Sequence, residues 1–194
     1  MINNGLKILD HFDKIRFPTD KKAIDKLEDS YNEKRFNNFL LENTLQISEL
    51  STPNLFDCTS RVINNLNLDS SLDINFFVYA SQEVQAECFA FSQKKCFIRF
   101  SSSLVNLLDE DELCFVIGHE LGHFLLRHHN FSYKTSQKNF DSLITSRAKE
   151  ISVDRIGLIA SQELKSCLSA MIKCISGLDS KHLKINISEF LTQL

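Results

Sequence analysis

The fold of this chain is decided by residues 110–126, which read EDELCFVIGHELGHFLL. The apolar residues and the acids at the start predict an α-helix, because negative charge is favourable at a helix N-terminus. Within this helix His119 and His123 stand four residues apart. Four residues advance a helix by about one turn, so the two imidazoles lie on one face and can bind one zinc ion. Glu120 lies about 100° around the helix from His119, close enough to act as a general base without being a ligand.

A catalytic zinc site needs a third protein ligand, and two residues compete for that role. His129 lies six residues after His123, which is the spacing of the metzincin pattern. That pattern has glycine where this chain has Leu126, so we expect the helix to continue to His129 and to direct that side chain elsewhere. Glu150 is the better candidate, because it lies on a separate predicted helix that can return beside the first.

Asp154 follows Glu150 by four residues and therefore shares its helix face. A carboxylate in this position can accept a hydrogen bond from a ligating histidine and fix its tautomer. Two like charges one turn apart repel each other, so a bound cation would explain the pair. Lys149 and Arg155 could neutralise the same charges. The alternative to a metal site is therefore that Glu150 and Asp154 lie on a solvated helix face. Three residues are candidates for stabilising an oxyanion: His182, Tyr133 and Arg155.

The composition of the chain argues against several classes of protein. Only 5 Gly and 2 Pro among 194 residues disfavour a turn-rich all-β fold, and 43% hydrophobic residues supply a core. The net charge of −3 and the lack of a basic stripe predict no nucleic-acid partner. No apolar stretch reaches the length of a membrane helix, and the N-terminus has no signal-peptide pattern. We therefore expect a cytoplasmic protein whose six cysteines are reduced.

The motifs resemble those of the HtpX-like and CAAX-prenyl-protease-like zinc metallopeptidases, which are gluzincins. The resemblance covers about residues 52–177, and three segments carry it: FIRFSSSLVNLLDEDEL (97–113), FVIGHELGH (115–123) and E-x-x-x-D-x-x-G (150–157). It implies that Glu150 is the third zinc ligand and that Asp154 orients a ligating histidine. It also implies that the strand at 96–100 or the one at 87–91 is a cleft edge, where a substrate chain pairs by strand addition.

The pattern along the chain predicts an α+β, mainly helical fold. Besides the metal helix, runs of apolar residues at helical spacing predict helices over four ranges: 20–50 (one or two helices), 55–66, 140–160 and 162–175. Runs of β-branched and aromatic residues predict three strands: 74–79, 88–91 and 96–100. We expect an N-terminal helical extension, 1–50, and a zincin-like metallopeptidase domain, 51–194, or one compact unit. In that domain a small sheet or hairpin lies beside the H-E-x-x-H helix and the third-ligand helix.

The resemblance implies a soluble, zinc-dependent endopeptidase with one zinc ion per chain and peptide or protein substrates. Two imidazoles and one carboxylate leave the site with about one positive charge, which lowers the pKa of water at the metal toward roughly 7. One alternative is an ImmA-like regulatory protease, against which the long match at 97–113 argues. The other is a zinc-containing interaction module without turnover, which has no need of a general base at Glu120.

Three of the five glycines lie in the two helices of the predicted site. Gly118 and Gly122 are four residues apart beside the metal motif, and Gly157 follows Asp154 by three residues. Each costs about 1 kcal/mol in a helix interior relative to alanine. We therefore expect the two helix backbones to approach closely there, which would bring Glu150 to the metal.

Overall fold

The computed structural model describes residues 33–128, 140–184, 186, 188, 189 and 192, and within 140–145 it describes the backbone alone. The chain divides into two compact units, Met1–Glu42 and Asn43–Leu194. The described residues of the first unit, 33–42, belong to a helix, α1, that spans 33–43. The four strands and five further helices of the described residues belong to the second unit. The predicted extension at 1–50 stays a prediction.

The second unit contains a four-stranded sheet and five helices. Their order along the chain is β1 (Leu45–Gln46), α2 (Pro53–Asn65), β2 (Asp73–Tyr79), β3 (Ala86–Ala90), β4 (Lys95–Ser101), α3 (Ser102–Leu107), α4 (Glu110–Leu125), α5 (Phe140–Ser161) and α6 (Leu164–Ser176). In the sheet the strand order is β1-β2-β4-β3. Strand β2 runs parallel to β4, whereas β1 and β3 run antiparallel to their neighbours. The expected α+β, mainly helical class is therefore confirmed.

Strand β4 lies inside the sheet, because it pairs with β2 on one side and with β3, in the predicted hairpin, on the other. Its alternate residues Cys96, Ile98 and Phe100 are buried in the main hydrophobic core, where the helices cover the sheet. Strand β3 pairs on one side and forms an edge among the described strands. Of the two strands that the resemblance offered as cleft edge, the one at 96–100 is therefore excluded.

Helix α4 lies at the centre of the second unit, in contact with α2, α5, α6 and the sheet. Ten of its 16 residues are buried, so the helix is covered on most of its faces. Its start is set by a capping box, in which Asp109 Oδ1 accepts a hydrogen bond from Glu112 N (2.9 Å). In return Glu112 Oε2 accepts a hydrogen bond from Asp109 N (2.8 Å). The predicted start at the acidic run is confirmed.

The C-terminus of α4 differs from the prediction. The helix ends at Leu125 rather than at His129. Arg127 adopts a left-handed φ of +55°, and the N–H groups of Arg127 and His128 donate to carbonyl oxygens of the last turn at 3.1 and 2.9 Å. This is a Schellman motif in which an arginine takes the position that glycine usually fills. The inference that the helix continues because Leu126 replaces glycine was therefore wrong.

Two further elements differ from the prediction. The other helices and strands begin and end within about two residues of their predicted bounds. Residues 20–50 were predicted to be helical, but Leu45 lies in strand β1 and pairs with Val78 of β2. Pairing with the sheet outweighs the helical spacing of the local sequence. The segment after β4 was not predicted to be helical but forms α3. Its first turn is capped by Ser101 Oγ, which accepts a hydrogen bond from Leu104 N (3.1 Å).

Candidate metal centre

Helices α4 and α5 pack against each other through three glycines, here called the glycine seam: Gly118, Gly122 and Gly157. A Cβ atom on Gly118 would lie 2.3 Å from the Cβ of Ala160, and one on Gly122 would lie 3.0 Å from the Cβ of Val153. Real Cβ atoms do not come as close as the distance at Gly118, nor as the 2.8 Å that separates a Cβ on Gly157 from the carbonyl oxygen of Phe115, and the distance at Gly122 is tighter than most real Cβ contacts. The approach of the two helices therefore depends on the absence of side chains at these positions. The predicted close approach is confirmed.

The seam brings together three side chains that sequence analysis selected: His119 and His123 on α4 and Glu150 on α5. The two Nε2 atoms are 3.3 Å apart, and Glu150 Oε2 lies 3.5 Å from His119 Nε2 and 3.7 Å from His123 Nε2. A tetrahedral ion with bonds of about 2.0–2.1 Å holds its ligand atoms about 3.3 Å apart. The spacing of these three atoms therefore fits one zinc ion.

The chemistry of the three atoms points to a cation as well. Asp154 Oδ1 lies 2.9 Å from His119 Nδ1, and a carboxylate can only accept, so His119 Nδ1 donates. In the neutral imidazole this leaves a lone pair on Nε2, aimed at His123 Nε2 and Glu150 Oε2. Electron pairs that converge in this way repel one another unless a proton or a metal ion lies between them. Burial disfavours the charged form of His119, but the hydrogen bond to Asp154 and the nearby carboxylates raise its pKa overall.

His123 has a neighbour that was not among the predicted site residues. His128 Nδ1 lies 3.2 Å from His123 Nδ1, on the side of the ring opposite to the predicted ligand atom. The Schellman motif turns the chain back and brings His128 over the last turn of α4. Its position parallels that of Asp154 beside His119. No local pattern revealed this contact, because it depends on the left-handed conformation of Arg127.

Glu120 is a largely buried carboxyl group that makes no hydrogen bond to the described residues. Burial raises its pKa to about 7, with Glu150 and Glu87 adding to the effect and His119 opposing it. Glu112, on the same helix, differs from Glu120 because its carboxylate oxygens are hydrogen-bonded. It accepts hydrogen bonds from Ser169 Oγ and, at 2.6 Å, from the buried Lys173 Nζ. A largely buried acid without a hydrogen bond, on the same helix as an acid whose hydrogen bonds are satisfied, is the pattern expected of a functional group.

The remaining candidates lie away from this group or outside the described residues. Arg155 and His182 are exposed, and neither forms a described hydrogen bond or ion pair with the three converging side chains. Tyr133 and His129 fall outside the described residues. The role of each in oxyanion stabilisation or metal binding stays a prediction.

Part of the chain matches a known family of peptidases. Residues 49–141 match the model of peptidase family M48, a segment that holds both histidines and Glu120. The resemblance to M48 metallopeptidases is confirmed. The chain is also 27% identical over 175 residues to the Plastoglobule-localized metallopeptidase 48, chloroplastic, of Arabidopsis thaliana. That match covers 79% of this chain and 50% of the relative, so the chain spans half the length of the relative. Both comparisons support a metallopeptidase.

Proposed function

We propose that this chain is a zinc-dependent endopeptidase. The observation that carries the proposal is the convergence of two imidazole nitrogens and one carboxylate oxygen, 3.3–3.7 Å apart, beside a buried acid without a hydrogen bond. The zincin-like arrangement of the domain belongs to the same proposal. It is supported by the packing of α4 on α5 and by the sheet that lies against α4.

His119 and His123 would hold the zinc ion through Nε2, and Glu150 would hold it through a carboxylate oxygen. Zinc bound there would polarise a carbonyl group and lower the pKa of water. Asp154 can only accept from His119 Nδ1 and would so fix the tautomer that leaves Nε2 for the metal, and His128 would do the same for His123 by accepting from its Nδ1. Among the described residues no second group of this kind occurs, so we propose one zinc ion per chain.

Glu120 would act as the general base in hydrolysis. It would accept a proton from the attacking water and then deliver it to the leaving amine. Its burial favours this role, because a carboxyl group with a raised pKa can carry a proton near neutral pH. Glu112 cannot serve instead, because both of its oxygens accept hydrogen bonds from groups that hold the fold together.

The substrate would bind as an added strand along the edge of β3 that no described strand covers. This edge strand contacts α4. Burial is the main cause of the raised pKa of Glu120, but the charge of Glu87 on β3 contributes, so strand and acid lie close together. Strand addition recognises the backbone of an extended chain rather than its ends. This mode of binding favours an endopeptidase acting on peptides or proteins.

The alternatives have less support. An ImmA-like regulatory protease is not favoured, because the match over residues 49–141 is to the M48 family. A zinc-containing interaction module would not require an unsatisfied acid at Glu120. Among the described residues, no helix combines the length and the hydrophobicity that crossing a bilayer demands. A cytoplasmic location stays part of the proposal, whereas the name of the plant relative assigns that protein to plastoglobules.

The test compares wild type with Glu120→Gln, after removal of metal by a chelator and reconstitution with zinc. We expect one zinc per chain in both proteins and a loss of at least about 100-fold in cleavage by the variant. Glu110→Gln is the matched control, because it makes the same change on an exposed residue of the same helix. An internally quenched peptide with both ends blocked distinguishes an endopeptidase from an exopeptidase.

Each outcome bears on one part of the proposal. Cleavage by Glu120→Gln at the wild-type rate would exclude Glu120 as the base. Zinc bound at the predicted ratio without cleavage of any peptide or of casein would favour the interaction module. A wild-type protein that binds no zinc would overturn the metal centre itself.

A further inference from the structure

Two pairs of buried thiols lie close together in the core, one pair on two helices and the other on two strands. Cys114 Sγ on α4 lies 3.8 Å from the carbonyl oxygen of Cys58 on α2, and Cys58 Sγ lies 3.9 Å from the carbonyl oxygen of Glu110, one turn before Cys114, so both thiols lie where these two helices meet. Cys88 on β3 and Cys96 on β4 are likewise close enough to affect each other's protonation. All four cysteines are free and buried. The two pairs differ in one respect. The pair on the helices has a cation at hydrogen-bond distance, whereas none of the described ion pairs or hydrogen bonds brings a cation to the pair on the strands.

The cation is Arg61, which follows Cys58 on α2 by three residues. Its Nε and Nη2 atoms lie 3.2 and 3.0 Å from Cys114 Sγ, so two N–H groups of one guanidinium point at one sulfur. Nη2 also forms an ion pair with Asp111 Oδ1 at 2.9 Å, which holds the fork in place. A guanidinium that donates two hydrogen bonds to a sulfur stabilises the thiolate rather than the thiol.

The protonation of the thiols follows this geometry. The hydrogen bond from Cys58 is the largest influence that lowers the pKa of Cys114, Arg61 adds to it, and burial opposes it, with a result of about 7. The proton stays on Cys58, whose pKa is raised by the same hydrogen bond and by burial. In the strand pair the pKa of Cys88 is raised by the hydrogen bond to Cys96 and by burial.

We propose that Cys58 and Cys114 are an oxidation site that reacts with a hydroperoxide, such as hydrogen peroxide, and forms a disulfide between α2 and α4. The nucleophile is Cys114, the resolving thiol is Cys58, and Arg61 is the residue that activates the nucleophile. This site lies outside the metal centre and does not depend on the proposed peptidase activity. Cys114 precedes His119 by five residues on α4, so the disulfide would tie the metal helix to its neighbour.

The chemistry balances with the peroxide as the oxidant. The Cys114 thiolate attacks one peroxide oxygen, the O–O bond breaks, and the other oxygen leaves as hydroxide and takes up a proton to become water. Cys114 is then a sulfenic acid. Cys58 loses its proton and attacks the Cys114 sulfur, the S–O bond breaks, and the hydroxyl leaves as a second water. The two sulfurs together lose two electrons, and the peroxide gains them.

A peroxide would reach the Cys114 sulfur from the side that the Arg61 side chain covers. Cys114 is 1% exposed, but the side chain of Arg61 that contacts its sulfur is 42% exposed. Movement of this one flexible side chain would admit a molecule as small as hydrogen peroxide. Larger alkylating reagents would react more slowly, so the peroxide itself is the suitable probe.

The experiment treats the full chain, with metal removed, with hydrogen peroxide at pH 7 and maps cysteine-linked peptides by mass spectrometry after alkylation. We expect the Cys58–Cys114 disulfide to form before any link between Cys88 and Cys96. At pH 7 a thiol with a pKa near 7 is about 50-fold more ionised than a thiol with a pKa near 9. Its thiolate is roughly eightfold less nucleophilic, so the net advantage in rate is about sixfold. Arg61→Gln removes only part of this shift, because the interaction with Cys58 remains, so we expect the variant to slow the reaction about 2- to 6-fold.

Two variants and the pH profile separate activation from simple proximity. Asp111→Asn loosens the hold on Arg61 but also removes a charge that opposes ionisation of Cys114, so the two effects oppose each other and the rate should change less than in Arg61→Gln. The wild-type rate should rise as pH increases through about 7, because the thiolate is the reacting form. In Arg61→Gln this rise should move to higher pH.

Three results would overturn the proposal. The first is that Cys88 and Cys96 oxidise as fast as Cys58 and Cys114 in the wild-type protein. This comparison does not depend on whether a variant folds. Another is an unchanged rate and pH profile in Arg61→Gln. The third is peroxide treatment that leaves Cys58 and Cys114 as free thiols while other cysteines oxidise.

Discussion

Replacing Gly118 by alanine would test whether the glycine seam positions the third metal ligand. The new Cβ would lie 2.3 Å from the Cβ of Ala160 and 3.0 Å from the Cα of Gly157. Carbon atoms in contact prefer a separation of about 3.5–4.0 Å. Helices α4 and α5 must therefore separate by at least about 1.2 Å at this point, since neither partner atom is the end of a flexible side chain.

This separation is large on the scale of metal coordination. Glu150 lies on α5, ten residues before Ala160, which is about 15 Å along the helix axis. Metal–ligand distances tolerate deviations of about 0.2 Å, so a shift of α5 of this size would remove the carboxylate from its position. We expect zinc affinity to fall about 10- to 100-fold, as when groups that orient a ligand are lost.

The effect on stability is smaller because two terms oppose each other. Overpacking costs about 1–3 kcal/mol, whereas alanine is favoured over glycine in a helix by about 1 kcal/mol. The net loss in the free energy of unfolding is thus about 0–2 kcal/mol. The variant should therefore remain folded while its metal site is impaired.

The assay is zinc affinity by competition with a chromophoric chelator, together with urea denaturation of the same samples. Gly177→Ala is the control, because Gly177 has a φ of +69° and nothing within 4 Å of a Cβ. It should lose about 1 kcal/mol of stability through backbone strain alone, with unchanged zinc affinity. A double variant that adds Ala160→Gly removes the closest contact and should recover most of the affinity.

Unchanged zinc affinity in Gly118→Ala would refute the reasoning, whatever the stability. So would a loss of affinity of equal size in Gly177→Ala, because it would reflect general destabilisation. Gly122→Val, whose Cβ would meet Val153 at 3.0 Å, provides an independent check on the same seam. It should also weaken zinc binding although no ligand is changed.

Three further predictions follow from single contacts. Lys173→Met leaves the carboxylate of Glu112 buried without its ion pair and should cost about 3–5 kcal/mol in urea denaturation; a loss below about 1 kcal/mol would contradict the pairing. Arg127→Gly relieves the left-handed conformation and should raise the free energy of unfolding by about 0.5–1 kcal/mol, and a decrease would argue against the Schellman turn. His128→Ala removes the group beside His123 and should weaken zinc binding about 10-fold in the chelator assay, whereas equal affinity would exclude a positioning role.

The elements of the second unit were largely predictable because their signals are local. The capping box of α4 and the apolar runs of the strands are patterns of neighbouring residues, and the structure has these elements close to their expected bounds. Strand β1 was missed because its two residues are held by pairing with β2 rather than by their own pattern. The end of α4 was missed because Arg127 adopts a conformation that its residue type disfavours.

The sequence by itself determined that His119 and His123 share one helix face, since the 3.6-residue period follows from bonds within the helix. It also located the acid that follows the first histidine. Only the tertiary structure decided that Glu150 comes within 3.7 Å of both imidazoles, because that distance depends on how closely two helix backbones pack at the glycine seam. The same holds for β3 as the sheet edge and for Arg61 at the Cys114 sulfur. Contacts between residues distant in sequence are set by packing, which local periodicity does not encode.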